Sequence, residues 1–470
     1  MSLSPSLSFI ESTIGRHPPA DTISLELITE HDLAAWLDAA DDAVKAWIHA
    51  ARFTASAGQY CLVPGAHGIE RVLVGYDPAA PHWCAGALTA SIPPGHYQIA
   101  NPPSTDVLAE IAMGWALGQY QFNVYQPARA QKHEARTLHI ADESAYKQAL
   151  NTVTGITLTR DLINTPAADM MPQDLSETMG HLAEQFGATW SEIVGEDLLK
   201  QNFPAIHAVG RASVHAPRLL DMSWGAPDAP KVTLVGKGVC FDSGGLDIKS
   251  AAGMRMMKKD MGGAAHSLGL AVMIMSAGLP VRLRVLIPAV ENAISGSSFR
   301  PGDIVPTRAG INIEIENTDA EGRVVLSDAL AEGGSQNPEV MIDFATLTGS
   351  ARIALGRDLP AMFCNDDSLA DGLVSAGLAN GDPMWRMPLH APYRELIESK
   401  IGDIMNGTPQ PFGGSITAAL FLEYFVPSTV AWAHFDIMAW NTANRPGRPE
   451  GGEAVTLRGI LSYLQQRYAA

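Results

Sequence analysis

Apolar and polar positions along this chain fall into two patterns. Short strand-like runs rich in apolar residues predict strands at 231–235, 281–289, 311–316, 340–344 and 431–437, the first of them buried. Longer stretches with apolar residues at helical spacing predict helices over 175–186, 262–277, 324–332, 417–425 and 455–466. From about residue 166 onward the two kinds alternate. Such alternation predicts an α/β fold with a mixed, mostly parallel sheet flanked by helices. Segment 261–281 is uncharged and long enough to raise a bilayer span. It also holds His266, Ser267, Ser276, Pro280 and four glycines, so it reads as a buried helix of an α/β domain.

The first third of the chain is patterned differently. Strands are predicted at 60–63 and 71–76, and helices at 33–52 and 105–120. Leu33, Trp36, Leu37, Val44, Trp47 and Ile48 recur at helical spacing, with Asp32 placed to cap that helix and Asp41 and Asp42 on its solvated face. Pro93-Pro94-Gly95 marks a turn. His82, Cys84, His96 and His133 lack metal-site spacing. A helix over 143–160 reads as a connector, and Met171-Pro172 as a turn beyond it. The expected organisation is α/β in two domains: a smaller, non-catalytic N-terminal one (1–145), a linker helix region (146–165) and a larger C-terminal catalytic one (166–470).

Composition narrows the function. Of 470 residues, 46% are hydrophobic and 17% charged, as in a globular protein with sizeable cores. Fifty acidic against 32 basic residues give −18, which disfavours nucleic-acid binding. Cys61, Cys84, Cys240 and Cys364 have no paired spacing and read as reduced, buried thiols. Cys240 lies among candidate site residues, but an apolar strand-end thiol fits it better than a nucleophile. The opening MSLSPSLSF lacks the basic and apolar regions of a secretory leader. A cytoplasmic protein with no membrane partner is expected.

Two stretches carry candidate chemistry. In the first, Asn317-Thr318-Asp319-Ala320-Glu321-Gly322-Arg323, acidic and basic residues alternate. In extended backbone Asp319, Glu321 and Arg323 would share one side, and Gly322 would permit a close approach. Hard carboxylate oxygens beside a guanidinium suit a divalent ion and a polarised substrate or anion. A turn with a surface ion pair is the competing reading. The second stretch, KVTLVGKGVCFDSGGLDIKSAAGMRMMKKDMGG at 231–263, contributes Lys237, Asp242, Lys249 and Asp260. Lys237 and Asp242 would lie just past a strand's carboxyl end, where α/β sheets bind ligands. On spacing alone Lys237 reads as an ion-pair partner of Asp242. The loop lacks the phosphate-binding GxxxxGK[ST] spacing.

VGKGVCFDSGG, the Asp-Ile-Lys at 247–249, KDMGG and NTDAEGR, in this order and at these intervals, resemble the signature of the leucyl aminopeptidase family (M17, the cytosol aminopeptidases). The resemblance implies a metal-dependent exopeptidase that releases N-terminal residues, leucine and other apolar ones, from short peptides. It implies two divalent ions, Mn²⁺ or Zn²⁺ with Mg²⁺ or Co²⁺ possible, held by Lys237, Asp242, Asp260, Asp319 and Glu321. Lys237 would have to bind as the neutral amine, its pKa lowered by burial and metal charge. Lys249 would stabilise the oxyanion, and Arg323 would hold a bicarbonate ion as general base towards a water between the metals. Lys249, Met257, Asn317, Thr346, Leu347, Gly349 and Met438 would line the substrate site, the DFATLTG at 343–349 also matching. A homohexamer, a dimer of trimers, is implied as well.

The chain departs from the family pattern in two places. After His434-Phe435-Asp436-Ile437, many members continue with Ala-Gly, whereas this chain has Met438-Ala439-Trp440, which alters one wall of the side-chain pocket. The tail at 441–452 also differs. Two other readings remain at this stage: a two-metal hydrolase of another bond, such as a phosphoesterase, and a DNA-binding accessory role known among relatives, which the net charge opposes.

Overall fold

The computed structural model describes residues 6–66, 68–130 and 134–468. His133 lies outside them. The chain forms two compact units. The smaller comprises the chain up to residue 157 together with 441–450; the larger comprises 158–440 and 451 onward.

The smaller unit is built on a six-stranded sheet. Its strands are β1 (Ile14–Gly15), β2 (Ile23–Ile28), β3 (Tyr60–Gly65), β4 (Gly68–Gly75), β5 (Gly95–Ile99) and β6 (Arg136–His139), ordered β1-β6-β5-β2-β4-β3. All pairs are parallel except β3 with β4. The single helix expected over 33–52 is two helices, Leu33–Ala39 and Asp42–Ala50, because Ala40 and Asp41 are extended. Consecutive aspartates favour a helix start over a helix interior. Leu33, Trp36, Leu37, Val44 and Ile48 pack as their spacing predicts, while Trp47 is largely exposed. Asp32 makes no side-chain cap; its carboxylate accepts a hydrogen bond from the Thr29 hydroxyl instead.

The helix Glu143–Asn164 carries the chain past residue 157 into the larger unit and stops just before Thr165-Pro166. The next helix, Pro172–Phe186, starts three residues earlier than expected, with Pro172 in its first turn. The larger unit's strands up to residue 436, in chain order, are β7 (Thr189–Val194), β8 (Arg218–Trp224), β9 (Lys231–Gly236), β10 (Gly238–Asp242), β11 (Arg282–Asn292), β12 (Ile304–Pro306), β13 (Asn312–Glu314), β14 (Val340–Ala345), β15 (Ala361–Cys364), β16 (Trp385–Arg386), β17 (Ile404–Met405) and β18 (Ala431–Asp436). Nine form one mixed sheet ordered β16-β15-β18-β14-β9-β11-β8-β7, with β10 also on β11. Its centre, β18-β14-β9-β11, is parallel. The run expected as a strand over 311–316 is only β13, which joins a separate three-stranded sheet with β12 and β17.

Alternating strand residues bury both faces of the main sheet. Val235, Leu286 and Met341 share a core with Val325, Leu326, Ala329 and Leu330 of the helix Glu321–Gly334. On the other side, Phe344 contacts the ring of His266 in the helix Gly262–Ser276, which is buried over nearly its whole length. That burial explains why 261–281 is so apolar. Among the described residues no helix is long and apolar enough to cross a membrane. All four cysteines are free and buried.

Candidate functional site

The parallel centre of the sheet sends several carboxyl ends to one place. Lys237 directly follows β9, Asp242 ends β10, Asn292 ends β11, Thr346 follows β14 and Asp436 ends β18. All of these except Asn292 line a cavity of about 390 Å³ in the larger unit. Lys237, Asp242, Lys249, Met257, Asp260, Asp319, Thr346, Leu347, Gly349 and Met438 all line it. Arg323 and Asn317 line a second cavity of about 360 Å³.

The acidic stretch does not adopt the extended form that alternation suggested. Thr318–Ala320 is a 3-10 turn, and Glu321 opens the helix that follows. The Asn317 side chain accepts a hydrogen bond from the Asp319 amide at 2.7 Å and so fixes the turn. Asp319 faces the cavity from this turn, whereas Glu321 and Arg323 are buried in the first helical turn. Oxygens of Asp242, Asp319 and Glu321 still come within 4.8 Å of one another.

Burial sets the electrostatics. Lys237 Nζ lies 2.8 Å from Asp260 Oδ2 and 2.9 Å from Glu321 Oε1, not against Asp242 as its spacing alone suggested. Burial opposes the Lys237 charge, but Asp260, Glu321 and Asp242 outweigh it and hold the ammonium above its usual range. Gly322 makes this placement possible, since a Cβ there would stand 2.4 Å from Lys237 Cε. Lys249 pairs with Asp242 at 2.7 Å and with Asp319. Burial and Asp260 push the Asp242 carboxyl up to about 6, against the pull of both lysines. Burial and Asp242 likewise push Glu321 well above the carboxylate range. Apart from Lys237 at Oε1, neither Glu321 oxygen has a partner, although the residue is only 1% exposed. A buried carboxylate met only by one lysine, with Oε2 unpartnered and two further carboxylates beside it, fits a divalent cation.

The loop after β10 is tied to the 3-10 turn through Thr318. Its hydroxyl donates to Gly244 O at 2.7 Å, and its amide donates to Asp247 Oδ2 at 2.7 Å. Asn292 Nδ2 donates both to Asp242 Oδ1 (2.8 Å) and to Thr318 O (3.1 Å). Asn406, fully buried, accepts from the amides of Glu316 and Asn317 and donates to the carbonyls of Asn317 and Ala320. Thr346 donates its hydroxyl to Asp260 Oδ1 at 2.6 Å. Arg323 makes no hydrogen bond or ion pair, and burial lowers its guanidinium to about 10. Its Cζ lies 6.0 Å from the centre of the Phe421 ring.

The family model for the catalytic domain of the cytosol aminopeptidase family matches residues 157–461. The chain belongs to the cytosol aminopeptidase family. It is accordingly a hydrolase, an aminopeptidase. The model for the M17 aminopeptidase N-terminal domain matches residues 23–139. The crystal structure of a cytosol aminopeptidase from Coxiella burnetii is 48% identical and superposes with a TM-score of 0.92, covering 97% of this chain and 99% of that one. The bottromycin maturation enzyme BotP in complex with Mn is 31% identical with a TM-score of 0.86, covering 95% of this chain and all of that one. A protein of Roseiflexus castenholzii named "Probable cytosol aminopeptidase" is 41% identical over 376 residues, 76% of each chain.

Three features of this cavity and its supports escaped the sequence. Asn292 and Asn406 tie the acidic segments together, but each lies far from them in the chain. Lys259 lines the main cavity although it is 5% exposed. Burial lowers its ammonium to about 8. The double lysine in MKKDM, within an otherwise apolar surround, was the available signal.

Proposed function

We propose that the chain removes N-terminal residues from short peptides by metal-dependent hydrolysis, with Lys237, Asp242, Asp260, Asp319 and Glu321 holding two divalent ions. The observation that carries this reading is the cluster of Asp242, Asp319 and Glu321, in which the buried Glu321 meets only Lys237 and leaves Oε2 without a partner. Bound there, divalent ions supply Lewis-acid polarisation of the scissile carbonyl and a more acidic water. Mn²⁺ is favoured by the manganese-bound relative, with Zn²⁺ next.

The protein's own groups supply the rest. Thr346 and Lys237 orient Asp260, while Asn292 and the Gly244 amide orient Asp242. Lys237 must give up its proton to act as a ligand. Lys249 remains an ammonium, held so by Asp242 and Asp319, and offers positive charge to the developing oxyanion. Arg323, buried and without an anionic partner, offers its planar guanidinium to bicarbonate, the proposed general base. Met257, Leu347 and Met438 give the cavity apolar walls suited to leucine and similar side chains. Homohexameric assembly and a cytoplasmic setting are proposed with the function. The exposed Ile353, Ile401 and Phe412 are apolar surface of the kind that subunit contacts cover.

The test is Leu-p-nitroanilide hydrolysis by metal-stripped protein, with Mn²⁺, Zn²⁺, Co²⁺ or Mg²⁺ restored in turn, beside Asp319→Ala. Metal-dependent release that is lost in the variant is expected. No release from any aminoacyl anilide by metal-loaded protein, or cleavage of p-nitrophenyl phosphate instead, would overturn the reading.

A further inference from the structure

The main cavity holds a cation that the proposed chemistry does not use. Lys259 is over nine-tenths buried, lines the cavity, and makes no hydrogen bond or ion pair. Its neighbour Lys258 differs: that ammonium donates to Asn164 O and lies 5.6 Å from the centre of the Trp440 ring. A buried ammonium without a partner is costly unless something binds it.

The acidic groups around Lys259 are already engaged. Asp260 is held by Lys237 and Thr346. Asp436 accepts from the amides of Leu347 and Thr348 and from the Thr348 hydroxyl. Glu453, also on the cavity wall, is paired with Arg160 at 2.9 Å. The other titratable neighbours, Lys237 and Arg352, are cations. An incoming anion would therefore meet Lys259 without displacing an internal partner. The same cavity is lined by Met257, Leu347 and Met438, the walls assigned above to the substrate side chain.

We propose that Lys259 is a specificity-determining residue through which this site accepts acidic N-terminal residues: the side-chain methylenes lie along Met257 and Met438, and Nζ donates to the carboxylate. This rests on the aminopeptidase reading and deepens it. A substrate carboxylate could also be the C-terminus of a very short peptide. The position of Lys259 among the side-chain walls favours the N-terminal side chain, and the test separates the two.

The experiment uses manganese-loaded protein and the aminomethylcoumarin amides of Glu, Gln and Leu. Glu and Gln differ in charge but scarcely in shape. The expected kcat/KM for Glu exceeds that for Gln by about tenfold or more, as a charged hydrogen bond in a buried site allows. Lys259→Met abolishes the ratio and Lys259→Arg retains it. Calorimetric titration of free L-glutamate against L-glutamine should show the same order of affinity in the wild-type protein, without recourse to turnover. Cleavage of Leu with no preference for Glu over Gln, in rate and in binding, overturns the role of Lys259 and leaves the aminopeptidase reading standing. Failure to cleave any of the three overturns both. A carboxylate preference seen only between Leu-Gly and Leu-glycinamide assigns Lys259 to the peptide terminus and overturns the acidic-residue assignment.

Discussion

Replacing Gly322 with alanine tests whether the placement of Lys237 controls activity. The new methyl carbon would stand 2.4 Å from Lys237 Cε and 2.6 Å from Nζ. Two energies oppose each other. Alanine gains up to about 1 kcal/mol in helix propensity, and crowding in a packed site costs about 1–3 kcal/mol. The net loss of stability is then at most about 3 kcal/mol, and the melting temperature should fall by less than about 6 °C. Activity should respond far more. Relieving a 2.4 Å contact moves the lysine by about 1 Å, and a displacement of that size at a reacting centre costs on the order of a hundredfold. The assay is kcat/KM for Leu-p-nitroanilide beside thermal unfolding and calorimetric Mn²⁺ titration of the same preparations. A large loss of rate and a weaker Mn²⁺ affinity, with near-normal melting, are expected. Wild-type rate and affinity in Gly322→Ala would refute the claim that Lys237 must sit between Asp260 and Glu321.

Two further predictions concern stability. His266 is fully buried as the neutral ring: Nδ1–H donates to Gly262 O at 2.7 Å, and Nε2 accepts from the Val455 amide at 3.1 Å. Burial lowers its pKa to about 4, so its contribution is complete above about pH 6.5 and is lost as pH falls towards 4, a loss of about 3 kcal/mol. Urea unfolding at pH 7 and pH 4.5 should show the gap between wild type and His266→Gln shrinking by about 2–3 kcal/mol, and an unchanged gap would contradict the assignment. Ala439 adopts a left-handed backbone with φ of 55°, a conformation that glycine takes without steric cost. Ala439→Gly should stabilise the protein by up to about 1 kcal/mol, read as a higher melting temperature, because relief of strain exceeds the entropy returned to the unfolded chain; a lower melting temperature would refute this.

The catalytic unit's central strands and helices were legible because each is buried along a long, regular pattern. β9, β14 and β18 are almost wholly buried and fall where expected. The edge strands were not. In β7, Thr189, Trp190, Ser191 and Glu192 are all exposed, so no alternation marks them. β8 carries Asp221, whose partner Arg284 on β11 lies 63 residues away. Most of the proposed ligand and pocket residues converge on one cavity, as the motifs implied. The local geometry of Asp319 and Glu321 did not follow from their alternation. A buried Asn406 and a tight 3-10 turn replace the extended backbone that period-two spacing suggests. Nor could spacing reveal that Lys258 would be engaged and Lys259 left free.

The four buried thiols amount to built-in reporters of opening. Cys61 and Cys84 belong to the smaller unit, Cys240 and Cys364 to the larger. Burial raises the Cys61 thiol, raises Cys240 strongly and lifts Cys364 to about 11, so little reactive thiolate exists at neutral pH. Alkylation must therefore wait for local or global unfolding. Timed labelling read by peptide mass spectrometry would follow each unit in the same tube, without a dye or an engineered residue. Because Cys240 lies between Lys237 and Asp242 in the strand that delivers an acidic group to the cavity, its modification would clock the dismantling of the site itself.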